Sequence, residues 1–172
     1  MAGPLYERAC RHGLDAPRSN VTFRTMELRP LGTADQDLLA SLEEQDDVWE
    51  FIGTLPLAPA QQGPPLFAVV EGQASVGIAG LVPSRALGGE DFELLCAMKA
   101  EVQARGYAKQ ACKLVMSWAF DTAKLDRVIA CIDEDNEPAR TIATKLGMRA
   151  LGSTPPKRTV YVKYRSERPA GT

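Results

Sequence analysis

Residues 91–124 read DFELLCAMKAEVQARGYAKQACKLVMSWAFDTAK, and the order of features within them decides the fold. An apolar run, Phe92 and then Leu94 to Met98, gives way to a short polar link, to Gln103-Ala104-Arg105-Gly106-Tyr107-Ala108, and then to a long helical pattern. In that pattern Lys109, Lys113, Ser117 and Asp121 recur as a solvent stripe; Ala111, Cys112, Val115 and Ala119 form the opposed buried stripe, widened by Trp118 and Phe120. The stretch therefore predicts strand, tight turn, helix. A helix entered through such a turn aims its first backbone N–H groups, and the positive end of its dipole, into the turn. Gly106 permits positive φ or close approach of a ligand, Ala108 leaves the helix start uncrowded, and Gln103 and Arg105 offer side-chain donors. That combination suits a polyanion such as a pyrophosphate. It is not a Walker loop, which needs a second Gly and a Gly-Lys-Ser/Thr ending, nor a GxGxxG turn, since Gly106 stands alone. A plain connecting loop remains the competing reading of these residues.

Upstream, residues 21–31 mix β-branched and aromatic side chains and end near Pro30, which predicts a first strand. Thr33 to Gln36 matches a capping box ahead of a helix carrying Leu38, Leu39 and Leu42. Residues 46–53 predict a second short helix with Val48, Trp49, Phe51 and Ile52, and residues 55–65, with four prolines, a loop. Residues 66–70 and 74–82 predict a β-hairpin about Gly72, with Gly77 and Gly80 marking close backbone approach or a bulge. Residues 83–90 are a loop. Downstream, residues 127–132 form a nearly unbroken apolar run, expected of a strand buried on both faces. An amphipathic helix follows over about 137–146, with Pro138 in its first turn and Gly147 as its stop. Residues 148–151 and 159–164 predict a closing strand pair. The whole reads as a single α+β domain over residues 21–165, one mixed sheet flanked by helices, with tails at 1–20 and 166–172.

Composition narrows the function classes. An apolar fraction of 45% and a charged fraction of 24% are those of a soluble globular protein. A net charge of −2 provides no global field for nucleic acid or an anionic membrane, so neither is an expected partner. Four scattered cysteines, Cys10, Cys96, Cys112 and Cys131, contain no CxxC pair and read as core residues of a reducing compartment. The only histidine, His12, lies in a polar N-terminal stretch, which argues against a bound metal and against a His-based triad. No stretch reaches the length of a membrane span and residues 1–13 lack the apolar core of a signal peptide, so the expected location is the cytoplasm.

Gln103-x-x-Gly106-x-Ala108 resembles the Gln/Arg-x-x-Gly-x-Gly/Ala signature of the GNAT superfamily of acyl-CoA-dependent N-acetyltransferases, with Met98 at the hydrophobic position that ends the preceding strand. Asn136-Glu137-Pro138-Ala139-Arg140, followed by Lys145-Leu146-Gly147-Met148, is similar to that family's next helix and its Gly-Phe ending. Within the superfamily, residues 90–95, 106–111 and 136–140 are most similar to the ribosomal-protein N-terminal acetyltransferase (RimJ/RimL-like) branch. The resemblance implies a mostly antiparallel sheet splayed between its fourth and fifth strands, with acetyl-CoA in the splay. It implies that the pyrophosphate meets the backbone amides of Gln103, Ala104, Arg105, Gly106, Tyr107 and Ala108. It further implies that the pantetheine pairs with the main chain around Cys96 and Met98, and that Asn136 contacts the pantetheine arm. The acceptor so implied is a primary amine, on a protein N-terminus or a small molecule, and the assembly a monomer or homodimer.

Three positions depart from the pattern: Ala139 where the branch has Ser, Ala143 where many members have Tyr, and Met148 where Phe is usual. The proton donor for the departing thiolate is therefore unassigned, and a non-catalytic acyl-CoA-binding module is the alternative expectation. Direct transfer requires an uncharged amine and a polarised carbonyl, which a main-chain N–H of the fourth strand can supply. Glu93, on the same strand as Met98, is the candidate base; a solvent-facing or salt-bridged glutamate is the competing reading. Glu101 and the cluster at Asp133 to Asp135 are lesser candidates; Trp49, beside Phe51, falls in the region that the resemblance assigns to the acceptor pocket and is the candidate acceptor contact, with a core side chain as the competing reading.

Overall fold

Alternation drives the first half of the sheet. In β1 (Met26–Pro30) Met26 and Leu28 are buried while Glu27 and Arg29 face solvent. β1 pairs antiparallel with β2 (Leu66–Glu71), which turns through Gly72 at φ 63° into β3 (Ala74–Ser84). β3 runs antiparallel to β4 (Asp91–Met98) from Ser84↔Asp91 to Gly77↔Met98. The second half is β5 (Arg127–Asp133), β6 (Arg149–Thr154) and β7 (Arg158–Tyr164), arranged so that the seven strands run β1-β2-β3-β4-β5-β7-β6. Only β4 and β5 are parallel neighbours. The computed structural model describes residues 26–45, 66–154 and 157–167. The expected helix at 46–53, the proline-rich loop, Trp49, Phe51 and the N-terminal tail lie outside the described residues.

Helices cover both faces, which makes the fold the α+β mixed sheet that the sequence predicts. α1 (Gln36–Glu43) sets Leu38, Leu39 and Leu42 against Ala68, Ile78 and Ala97 on one face. α2 (Tyr107–Asp121) buries Ala111, Cys112, Val115, Trp118, Ala119 and Phe120 on the other, with Trp118 edge-on to Phe67 of β2 at 5.9 Å between ring centres. α3 (Glu137–Lys145) joins the same core chiefly through Ala143, and Gly147 at φ 73° lets Met148 N donate back to Ala143 O at 3.0 Å.

Gly77 fulfils both parts of its expectation. A Cβ there would lie 2.4 Å from Ala97 O and 2.7 Å from Met98 Sδ, so β3 and β4 approach closely at this point. Opposite, the β2–β3 register shifts between Val69 and Val70.

Two details correct the sequence reading. The first helix is not capped by Thr33 with Gln36: Thr33–Asp35 form a 3-10 turn, and Asp35 Oδ2 accepts from Gly32 N at 2.9 Å. The reason is tertiary, because Asp35 is buried against Arg29, at 2.6 and 3.1 Å, and draws the cap one residue upstream. Residues 166–167, expected as tail, complete with Arg165 a docked 3-10 turn, Arg165 pairing with Asp126 at 2.7 Å and Glu167 Oε2 accepting from Tyr164 N at 3.1 Å.

Candidate active site

The β4–β5 seam is closed at its foot and open above. Asp91 and Arg127, the first residues of the two strands, form a bidentate pair at 2.5 and 2.9 Å, with the Asp91 side chain only 3% exposed. The Asp91 carboxylate holds the Arg127 guanidinium above its ordinary value. The strands then register at Glu93↔Ile129, and Leu94 to Met98 continue beyond that pair. Lys99 N donates to Val76 O at 2.9 Å, which fixes the alternation along β4: residues 93, 95 and 97 bond toward β3. The amides and carbonyls of Leu94, Cys96 and Met98 consequently turn toward β5; the Glu93↔Ile129 pairing takes up the Leu94 amide, and the groups of Cys96 and Met98 face the splay. Cys96 and Met98 thus lie on a stretch of main chain whose outward groups have the geometry to pair with an extended ligand as a further strand.

Glu93 sits where the seam opens. Arg165 N donates to Asp126 O at 2.9 Å in register with the β5–β7 ladder, so the odd-numbered amides of β5 turn toward β4. That of Cys131 donates to Glu93 Oε1 at 3.3 Å. The carboxylate stands in for a missing strand partner, on the sheet face opposite α2, beside Cys131 and near Arg158. Burial first, and then the Glu93 charge, push the Cys131 thiol up to about 12, against the smaller opposing pull of Arg158 and Ser84. Of the lesser candidates, Asp133 is held by Arg158 at 3.0 Å, while Glu101, Glu134 and Asp135 are exposed.

The turn after β4 is concave. Ala104 and Gly106 take left-handed φ values of 59° and 86° on either side of exposed Arg105, a pattern that converges successive N–H groups on one point. α2 begins with no side-chain cap and no acidic residue in its first turn. A Cβ built on Gly106 meets nothing within 4 Å, so the turn faces open space rather than packed chain. These features fit a bound polyanion. Gln103 and Arg105 divide their expected roles: Gln103 Nε2 donates to Met98 O at 3.2 Å and braces the turn, while Arg105 projects from the exposed surface. Tyr107 is buried and its hydroxyl donates to Glu71 Oε1; Ala108 is half-buried, and its carbonyl accepts from Cys96 Sγ at 3.9 Å. A hydrogen bond with Cys112, together with burial, raises the Cys96 thiol well above its ordinary value.

Asn136 caps α3, its Oδ1 accepting from Ala139 N at 3.1 Å, which leaves its amide nitrogen to donate elsewhere. Ala143 is 3% exposed within the core, so no proton donor stands at that position. Among the described residues no group of three His, Cys, Asp or Glu is placed to hold a metal, and no helix is long and apolar enough to cross a membrane. The Asp91–Arg127 clamp, Glu71 and Arg158 escaped the sequence reading. Opposite charges at the starts of two strands were a usable signal for the first; the others depend on pairing that the sequence does not display.

Residues 25–149 match a family model described as an acetyltransferase (GNAT) domain. No curated protein matches the sequence. Among solved structures, a GNAT-family acetyltransferase from Bacillus anthracis is 20% identical, covers 88% of this chain and 99% of its own, and superposes with a TM-score of 0.72. A ribosomal-protein-S5-alanine acetyltransferase from Vibrio fischeri is 14% identical, with 88% and 100% coverage and a TM-score of 0.70. An aminoglycoside acetyltransferase in complex with coenzyme A is 17% identical, with 83% and 96% coverage and a TM-score of 0.68.

Proposed function

This chain belongs to the GNAT acetyltransferase family and uses acetyl-CoA as co-substrate for acetyl transfer, and on that premise we propose that its acceptor is a primary amine and that the residues above divide the work. The amine belongs to a protein N-terminus or a small molecule. Similarity of residues 90–95, 106–111 and 136–140 to the ribosomal-protein N-terminal branch supports the former, as does the likeness to the Vibrio fischeri enzyme named for an alanine of protein S5.

The observation that carries this reading is the β4–β5 splay ending in the left-handed turn at Ala104 and Gly106. Gln103 N already donates to Ala100 O at 3.2 Å, so it leaves the expected set; backbone amides from Ala104 to Ala108 hold the pyrophosphate, the main chain at Cys96 and Met98 holds the pantetheine, and Asn136 donates its amide nitrogen to the same arm. Bound there, acetyl-CoA supplies an activated thioester. A β4 amide facing the splay polarises its carbonyl. The Glu93 carboxylate takes the ammonium proton of the acceptor, at the oxygen not bonded to Cys131 N, directly or through one water.

Thermal denaturation with and without acetyl-CoA tests the binding half. Saturation at about a hundredfold over Kd adds about 2.7 kcal/mol, a rise of about 5–10 °C for a chain of this size. Gly106→Trp should abolish the rise while leaving the ligand-free Tm within a few degrees. Absence of any rise with the unmodified protein would overturn the reading. Thiol release over a panel of peptides and small amines then separates the two acceptor classes.

A further inference from the structure

Tyr107 and Glu71 form a pair that the family motif does not explain. Tyr107 is the first residue of α2, directly after the left-handed Gly106, so its backbone is part of the turn assigned above to the pyrophosphate. Its side chain, however, points away from solvent: the residue is 8% exposed and belongs to the main core. Its hydroxyl donates to Glu71 Oε1, 36 residues upstream at the end of β2. The register places Glu71 at the same end of the sheet as Met98, since Glu71 pairs with Ala74 and Met98 with Gly77. Two further bonds, Gln103 Nε2 to Met98 O and Cys96 Sγ to Ala108 O, fix the turn to β4. The Tyr107–Glu71 bond fixes it to the hairpin two strands away and thereby sets the direction in which the α2 N-terminus points.

We propose that Glu71 and Tyr107 are positioning residues, which aim the converging amides of residues 104–108 at the pyrophosphate from behind without touching it. This rests on the cradle reading given under Proposed function. A hydroxyl bonded to a carboxylate is directional and stronger than a neutral pair, and it adds to the two β4 bonds a tie to a different strand. The pair therefore acts on the phosphate end of the ligand and not on the pantetheine, which lies along β4.

That distinction provides the test. Coenzyme A carries both portions; pantetheine lacks the pyrophosphate. Kd for coenzyme A by calorimetry and for pantetheine by NMR titration would be measured on the unmodified protein and on Tyr107→Phe, Glu71→Ala and Glu71→Gln, each with its Tm. Loss of one charge-assisted bond predicts that Tyr107→Phe and Glu71→Ala weaken coenzyme A about tenfold and leave pantetheine within about twofold. Glu71→Gln, which keeps an acceptor oxygen, should bind coenzyme A within about threefold of the unmodified protein. Equal weakening of both ligands would mean a general role in folding and overturn the proposal, as would unchanged coenzyme A affinity in Tyr107→Phe. If the unmodified protein binds coenzyme A no better than pantetheine, the cradle reading itself falls, which is a different result from a preference that survives substitution.

Discussion

Glu93 meets two requirements with one carboxylate. One oxygen completes the hydrogen bonding of β5 at Cys131, and the same charge suppresses ionisation of the Cys131 thiol. Glu93→Gln separates these effects, because the amide oxygen can still accept from Cys131 N while the charge is gone. Turnover should fall about a hundredfold, the lower range for loss of a general base, with acetyl-CoA affinity unchanged within about twofold; steady-state kinetics beside ligand titration decide it. In the same variant the Cys131 thiol should move down from about 12, so alkylation of its peptide at pH 8, followed by mass spectrometry, should accelerate several-fold. The sequence offered Glu93 through its place on the strand. Its partner 38 residues later was not legible, since the register of a parallel pair depends on residues far apart in the chain.

Among the elements, the β2–β3 hairpin and α1 show how far local pattern reaches. Gly77 was readable as a point of close approach because a glycine inside an apolar strand has few other uses. Gly77→Ala must displace Ala97 O or Met98 Sδ, and overpacking of that kind costs about 2 kcal/mol. Urea denaturation should show that loss, and acetyl-CoA should bind more weakly because Met98 O anchors Gln103. The α1 cap was misplaced because Asp35 answers to Arg29 and Ser75 as well as to its own helix. Burial alone would raise the Asp35 carboxyl, but the Arg29 bonds and charge, the Gly32 amide and Ser75 together hold it below its ordinary value. Its contribution is then complete above the unfolded value, near pH 4, and disappears as pH falls through the lower folded value. Stability measured from about pH 6 to pH 3 should decline, and Asp35→Asn should be less stable at pH 6 but flatter across that range.

On the scale of the whole molecule, β1 to β4 and β5 to β7 each build one contiguous half of the sheet, with α2 packed on the first half. The halves meet at the Glu93↔Ile129 register and the Asp91–Arg127 clamp, and this narrow junction allows the strands to part above it. Arg127→Leu would strand a buried carboxylate at the junction and should cost about 3 kcal/mol, read as a lower urea midpoint, together with a smaller acetyl-CoA-induced rise in Tm. The fold class was legible because apolar period and turn residues agree along most of the chain. The strand order of the second half was not: β6 precedes β7 in sequence yet lies outside it, since β7 takes the place beside β5. This order has a consequence for synthesis. When residues 149–154 leave the ribosome they have no neighbour to pair with, and β5 presents a bare flank until residues 158–164 arrive to serve both. A chain halted between β6 and β7 would carry two strands seeking the same absent partner, a state suited to capture by another chain.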